Sequence, residues 1–158
     1  FNIGLLHNQF RDQPLPLVYK SKAERLQRSV AKLADMELPK MVATQDFSLQ
    51  EISLDNFRAF VKEKHGLVLD ARPEIFYRFG HVPGALSLPR DEFEKGYTQL
   101  KAKLEADKSR PMIIYCSDVS CEDSELVSQA LTNLGYTQIS VFRGGWDAWT
   151  KAGYPDEK

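Results

Sequence analysis

Short uninterrupted apolar runs alternate with longer amphipathic stretches from about residue 51 onward, and this alternation constrains the fold more than any other feature. The clearest apolar runs are Leu67–Leu69, Met112–Tyr115 and Ile139–Phe142. Strands that are buried on both faces appear as continuous apolar segments, whereas half-exposed strands alternate with polar residues. The sequence therefore predicts an α/β fold with a central parallel sheet flanked by helices.

The helices between these strands are indicated by apolar residues spaced three and four apart. Ser53 is placed to cap a first helix that buries Phe57. A further short strand is expected at Ala85–Leu88. The two longer helices carry Phe93, Tyr97, Leu100 and Leu104 in the first case, and Leu126, Val127, Ala130, Leu131 and Leu134 in the second.

Residues 1–46 differ in texture from residues 47–158, and we expect them to form an N-terminal extension to the α/β domain. Pro14–Tyr19 is predicted to be an extended arm, because its alternating prolines remove backbone donors. Ser21 and Glu24 then form the capping box of an amphipathic helix. Its apolar face, which carries Ala23, Leu26, Val30 and Leu33, either packs on the α/β domain or stays exposed as a docking surface for a protein partner or beside an upstream membrane anchor.

Composition excludes several classes of function. The 158 residues carry 21 basic and 22 acidic side chains, which leaves no basic footprint for nucleic acid. No apolar run approaches the roughly 20 residues that span a bilayer. The chain begins with Phe1 and lacks a signal-peptide pattern. We expect a soluble module, either extracytoplasmic and next to a removed anchor or signal segment, or cytoplasmic.

Chemically useful side chains follow the predicted strands at their carboxyl ends, where open parallel sheets place their functional crevice. Cys116 comes directly after Met112–Tyr115, while Arg72 and Arg143 follow two other strands and are candidate anion-binding residues. Backbone N–H groups in a strand-to-helix loop stabilise a thiolate or a bound anion. The alternative is that Cys116 is a small buried residue at a strand end. The candidate substrate loop comprises Ser117, Asp118, Val119, Ser120, Cys121, Glu122 and Asp123.

Three motifs in the same order resemble the rhodanese-like (sulfurtransferase) domain. They are Asp70–Arg72, the segment Gly80–Pro89 (GHVPGALSLP), and Gly144–Trp146 followed by Trp149, Ala152, Gly153 and Pro155. Cys116 lies where that family carries its catalytic cysteine. The resemblance implies that Cys116 accepts a sulfane sulfur as a persulfide and passes it to a thiol acceptor. We expect no cofactor.

The loop departs from the family pattern in its charge. It is longer than the common form and carries Asp118, Glu122 and Asp123 with no Lys or Arg. Nearby carboxylates raise the pKa of a thiol and repel anions, so thiosulfate is disfavoured as the natural donor and a neutral or protein-borne persulfide is favoured. Asp123 or Ser124 is expected to cap the following helix and offset part of this penalty.

Cys121, five residues after Cys116, is the second departure. It is either a resolving thiol that forms a disulfide with Cys116 or a residue that fills space in the loop. Two cysteines fill only half of a zinc site, which disfavours a metal. The leading hypothesis is a sulfurtransferase. The alternative is a non-catalytic or thiol-redox module of the same fold that binds a partner protein.

Overall fold

A five-stranded parallel sheet lies at the centre of the computed structural model, which describes residues 20–35 and 50–158. Its strands are β1 (Gln50–Glu51), β2 (Leu67–Asp70), β3 (Leu86–Ser87), β4 (Met112–Tyr115) and β5 (Ile139–Phe142). Their order across the sheet is β1-β5-β4-β2-β3, and each neighbouring pair runs parallel. The predicted parallel α/β architecture is confirmed.

Helices cover the sheet on both faces. In the described residues they are α1 (Lys22–Asp35), α2 (Leu54–Glu63), α3 (Glu74–Phe79), α4 (Phe93–Leu104), α5 (Asp123–Asn133) and α6 (Gly145–Lys151). None of these helices is long and apolar enough to cross a membrane. Ser53 caps α2 as predicted, since its hydroxyl accepts a hydrogen bond from the backbone N–H of Asn56.

The strands divide their side chains between two apolar cores. Leu69 and Ile114 point to the core that α4 and α5 cover, whereas Val68 and Ile113 belong to the core that contains Phe57 of α2 and Trp149 of α6. Successive strand residues face opposite sides of a sheet, so a strand buried on both faces needs an unbroken apolar run. This requirement explains why the runs were visible in the sequence.

Helix α1 packs into the same core as the sheet. The predicted capping box is present, because the N–H of Glu24 donates to the Ser21 hydroxyl and the N–H of Ser21 donates to the Glu24 carboxylate. Leu26, Val30 and Leu33 are buried in the core formed with α4 and α5. Of the two outcomes left open for this apolar face, the structure shows packing. The predicted arm at Pro14–Tyr19 lies outside the described residues.

Two helices were missed by the sequence reasoning, and each lacks the signal on which that reasoning depends. Helix α3 follows Pro73 and buries none of its residues, so it has no apolar face to detect. Helix α6 begins at Gly145, in a Gly-Gly pair that is typical of a turn. Both helices follow the carboxyl ends of strands, at the edge of the sheet where the loop that carries Cys116 begins.

The packing of α1 leads to a stability prediction. Leu26→Ala removes a side chain that is 4% exposed and is expected to lower the free energy of unfolding by about 2 kcal/mol, the low end for a buried leucine. The exposed neighbour Gln27 supplies the control, and Gln27→Ala should change stability by less than about 0.5 kcal/mol. Urea denaturation monitored by fluorescence measures both variants. Equal stability of Leu26→Ala and the parent would show that α1 contributes nothing to the core.

Candidate active site

Cys116 lies at the carboxyl end of β4, between β5 and β2, and is 1% exposed. It is joined by a disulfide to Cys121, with 6.2 Å between their Cα atoms. The loop turns back on itself, and the N–H of Cys121 donates to the carbonyl of Asp118 at 3.1 Å. The chain therefore brings the predicted nucleophile and the candidate resolving thiol into direct contact.

The start of α6 fixes the backbone that carries Cys116. The N–H of Trp146 donates to the carbonyl of Cys116, and the N–H of Asp147 donates to the carbonyl of Ser117, both at 2.9 Å. Gly145 makes this approach possible, because a Cβ there would lie 2.7 Å from the Cys116 carbonyl oxygen and its φ is +62°. The Gly-Gly-Trp motif thus positions the cysteine loop.

Asp123 lies beside the two sulfur atoms. One of its carboxylate oxygens and the sulfur atoms of Cys116 and Cys121 are all within 4.8 Å of one another. Its Oδ1 accepts hydrogen bonds from Nε of Arg90 at 3.1 Å and from Nζ of Lys22 at 3.3 Å. Asp123 therefore forms two ion pairs and lies inside the site.

The prediction that Asp123 or Ser124 caps α5 is wrong. Glu122 occupies the capping position and makes no side-chain hydrogen bond to the helix. Asp123 is the first helical residue and its carboxylate points to Arg90 and Lys22 instead. Two strong cationic partners outcompete a backbone N–H for one carboxylate, which explains the difference.

The rest of the loop faces the solvent. The carboxylate of Asp118 accepts hydrogen bonds from the hydroxyl and the N–H of Ser120, and these bonds lower the pKa of Asp118. Glu122 is exposed, and Val119 is 73% exposed at the tip. Of the three loop carboxylates, Asp123 alone is buried, and it is also the one paired with cations.

Arg72 is buried next to the site, where its Nε and Nη2 donate to the carboxylate of Asp70 and Nη2 also donates to the carbonyl of Gly80. Burial opposes its charge, but the hydrogen bonds and the negative charge of Asp70, together with Tyr115, outweigh that effect and raise the pKa of Arg72. Its guanidinium lies 4.6 Å from the ring centre of Trp146. In this structure Arg72 is the counter-charge of Asp70, and binding of a substrate anion by Arg72 stays a prediction.

Arg143 lies at the carboxyl end of β5 and is exposed. Its Nη2 is 2.6 Å from a carboxylate oxygen of Glu125, and its Nε is 3.5 Å from a carboxylate oxygen of Glu51. These partners hold the guanidinium over α5 and β1. An anion-binding role for Arg143 also stays a prediction.

Arg90 and Lys22 are the charged residues that the sequence reasoning missed. Arg90 follows the Gly80–Pro89 motif and reaches Asp123 from the segment after β3, while Lys22 comes from α1. Neither lies near Cys116 in the sequence, and only the tertiary structure joins them.

Cys116, Cys121 and Asp123 form the cluster among the described residues whose donor atoms are close enough for a metal ion. In this structure the two sulfur atoms are bonded to each other and Oδ1 of Asp123 is paired with Arg90 and Lys22. A metal would have to displace these partners. The arrangement fits thiol chemistry better than metal binding.

Comparison of the sequence with known protein families identifies the domain that contains Cys116. The Rhodanese-like domain model matches residues 53–152. The chain belongs to the rhodanese-like domain family. The matched region contains Cys116, Cys121 and Arg90, while Lys22 and the rest of α1 lie outside it.

The relatives of this chain have low sequence identity to it. Protein YibN of Escherichia coli K12 is 26% identical over 96 residues, which cover 60% of this chain and 63% of YibN. The adenylyltransferase and sulfurtransferase UBA4 of Candida albicans is 27% identical over 89 residues, which cover 56% of this chain and 20% of UBA4. The chain therefore spans less than two-thirds of either relative.

Solved structures of rhodanese-like proteins share the fold. The human single domain sulfurtransferase TSTD1 has a TM-score of 0.56 and 20% identity, covering 66% of this chain and 97% of its own. A rhodanese-like domain from Anabaena sp. has a TM-score of 0.50 and 27% identity, covering 59% of this chain and 99% of its own.

Proposed function

We propose that this protein is a sulfurtransferase that carries a sulfane sulfur as a persulfide on Cys116, with Cys121 as its resolving thiol. One observation carries the proposal: the buried Cys116 at the end of the central strand is in contact with a second cysteine of the same loop. Membership of the rhodanese-like family and the sulfurtransferase names of its relatives support it.

The proposed reaction begins with reduction of the disulfide by a thiol. The Cys116 thiolate attacks the outer sulfur of a donor persulfide, the donor S–S bond breaks, and the donor leaves as a thiolate. An acceptor thiolate then attacks the outer sulfur of the Cys116 persulfide and releases Cys116. We expect backbone N–H groups of the loop and of the start of α5 to stabilise negative charge on the outer sulfur.

Cys121 provides a second outcome for the same persulfide. Its thiolate attacks Sγ of Cys116, the outer sulfur leaves as hydrosulfide, and the disulfide of this structure forms. Sulfur is released without an acceptor, and a dithiol must reduce the protein before another cycle. The disulfide state is thus the resting product of this branch.

The surroundings of the loop favour a protein-borne persulfide as donor. In the part of the chain that the structure describes, four large apolar side chains are more than half exposed: Ile75, Phe76 and Phe79 on α3 and Val119 in the loop. Helix α3 and the loop follow β2 and β4, whose last residues Asp70 and Tyr115 are register partners, so both emerge side by side at the same edge. An exposed apolar surface beside a reactive thiol is typical of a protein-docking site.

Mass spectrometry tests the proposal. The reduced protein is treated with glutathione persulfide or with thiosulfate, and intact mass and peptide mapping locate any added sulfur. We expect one sulfur on Cys116 with glutathione persulfide, followed by hydrosulfide release and the Cys116–Cys121 disulfide. Thiosulfate should transfer less, because Asp118 and Glu122 repel a dianion. Absence of added sulfur and of hydrosulfide with both donors would contradict the sulfurtransferase assignment.

A thiol-redox module is the second candidate function, and the disulfide itself favours it. In that case the loop exchanges disulfides with a partner protein and holds no sulfane sulfur. Thioredoxin serves as a probe of such exchange. If it reduces the disulfide rapidly while neither sulfur donor modifies Cys116, the redox function replaces the sulfurtransferase.

A further inference from the structure

We propose that Lys22 of α1 and Arg90, acting through Asp123, are positioning residues that set the reactivity of the Cys116–Cys121 thiol pair. This inference deepens the proposed function and rests on it, because it describes how the same site generates a thiolate. It also makes α1, which lies outside the family match, a part of the active site.

The first step is the position of the charge. The carboxylate of Asp123 is within 4.8 Å of both sulfur atoms, and the residue is 7% exposed. A lone buried carboxylate at that distance would strongly oppose a thiolate, because like charges interact strongly where water is excluded. The site therefore needs a compensating positive charge before either cysteine can ionise.

The second step is the source of that compensation. Arg90 and Lys22 both contact Oδ1 of Asp123, so two positive charges share one negative charge. The group carries a net charge of one positive unit beside the sulfur atoms. The side chain of Arg90 is 9% exposed whereas that of Lys22 is 50% exposed, so Arg90 contributes the larger and less screened share.

The third step concerns the other charges that border the loop. The buried Arg72 and Asp70 neutralise each other at the end of β2. At the end of β5, Arg143 is shared between Glu125 and Glu51 near the protein surface.

Two loop carboxylates and one pair on α6 complete the charged surroundings. Asp118 and Glu122 reach solvent, where water weakens their effect on the buried sulfur of Cys116, although they still face an anion that approaches the loop from solution. Lys151 pairs with Asp147 at the surface of α6 and lies near enough to Asp118 to help lower its pKa. Among the described residues, Asp123 is the buried carboxylate found within 4.8 Å of both sulfur atoms, and its cationic partners are the buried Arg90 and the half-exposed Lys22.

The test measures the pH dependence of iodoacetamide alkylation of Cys116 in the reduced full chain, followed by peptide mass spectrometry. Arg90→Met should raise the pH midpoint of alkylation by about one pH unit. Lys22→Met should raise it less, because water screens the half-exposed ammonium. Lys22→Arg should keep the midpoint of the parent, since this variant retains a positive charge at position 22.

Asp123→Asn separates an electrostatic role from a structural one. It breaks the ion pair that Lys22→Met breaks and also the ion pair with Arg90. It leaves two cations without their carboxylate, so the midpoint should fall below that of the parent. A purely structural role predicts that both variants shift the midpoint in the same direction. A rise with Asp123→Asn would overturn the proposal.

Lys32→Met is the matched control. Lys32 forms a second ion pair between α1 and the rest of the protein, with Glu94 of α4 at 3.2 Å. Its loss should leave the alkylation midpoint unchanged, and an equal shift for Lys32→Met and Lys22→Met would also overturn the proposal. If Arg90→Met does not fold, the Lys22 and Asp123 variants still give opposite signs. Alkylation needs no sulfur donor, so failure of the proposed sulfur transfer leaves this result independent.

Discussion

Cys116→Ser is expected to reduce sulfur transfer from every donor to the uncatalysed level while the fold remains intact. Serine has nearly the shape of cysteine, but its hydroxyl does not form a persulfide under these conditions. Transfer from glutathione persulfide to a thiol acceptor is measured for reduced proteins, so that loss of the disulfide does not enter the comparison. Circular dichroism confirms the fold of the variant. Retained transfer in Cys116→Ser would refute the role of Cys116.

Cys121→Ala distinguishes the resolving thiol from a residue that fills space. The variant should accept one sulfur on Cys116 at the parent rate, and the persulfide should then persist because no thiolate in the loop attacks Sγ of Cys116. Hydrosulfide release without an acceptor should fall to background. Prolonged peroxide treatment should drive Cys116 to sulfinic acid in this variant, whereas the parent stops at the disulfide. Unchanged hydrosulfide release would show that Cys121 has no resolving role.

The fold was predictable where one physical cause controls the pattern. Burial on both faces of the sheet favours continuous apolar strands, which is why β2 and β4 stand out in the sequence. β5 is also apolar, apart from the half-buried Ser140. Helix α1 was predictable because its capping box and its apolar face are both local sequence patterns. Helix α3 gave no such sign, because its apolar side chains Ile75, Phe76 and Phe79 are exposed and follow no buried stripe.

The parts of the site that lie close together in the sequence were predictable, whereas the contacts between distant segments were not. The position of Cys116 follows from the end of β4, and its proximity to Cys121 follows from the short loop between them. The acidic loop predicted an anion-repelling site with no local cation. Arg90 and Lys22 supply the positive charge that the loop itself lacks. They lie 33 and 101 residues from Asp123 in the sequence, and no local spacing rule reveals such contacts.

The buried ion pair of Asp70 and Arg72 leads to the largest expected effect on stability. Asp70 is fully buried and Arg72 is 3% exposed, with 2.6 Å between Nη2 of Arg72 and Oδ2 of Asp70. The Tyr115 hydroxyl also donates to Oδ2 of Asp70 at 2.6 Å and accepts a hydrogen bond from the N–H of Val82. Burial and the Asp70 charge raise the pKa of Tyr115, so its phenol stays protonated as a donor. The network ties β2 and β4 to the Gly80–Pro89 motif.

Arg72→Met should therefore lower the free energy of unfolding by about 4 kcal/mol, because it leaves the Asp70 carboxylate buried without a counter-charge. Arg78→Met is the matched control. Arg78 pairs with Glu74 at the surface of α3, and its loss should cost less than about 1 kcal/mol. Urea denaturation at neutral pH measures both. A loss below about 1 kcal/mol in Arg72→Met would contradict the structural role of the pair.

The double variant Asp70→Asn with Arg72→Met tests the cause of that loss. It removes both buried charges, so it should be more stable than Arg72→Met alone, and the two substitutions should deviate strongly from additivity. The same variants decide between the two roles of Arg72. If Arg72 binds a substrate anion, Arg72→Met weakens transfer from thiosulfate more than from a neutral donor and costs little stability. If Arg72 instead acts as the counter-charge of Asp70, the free energy of unfolding falls. The ratio of the activity with thiosulfate to the activity with the neutral donor then stays unchanged.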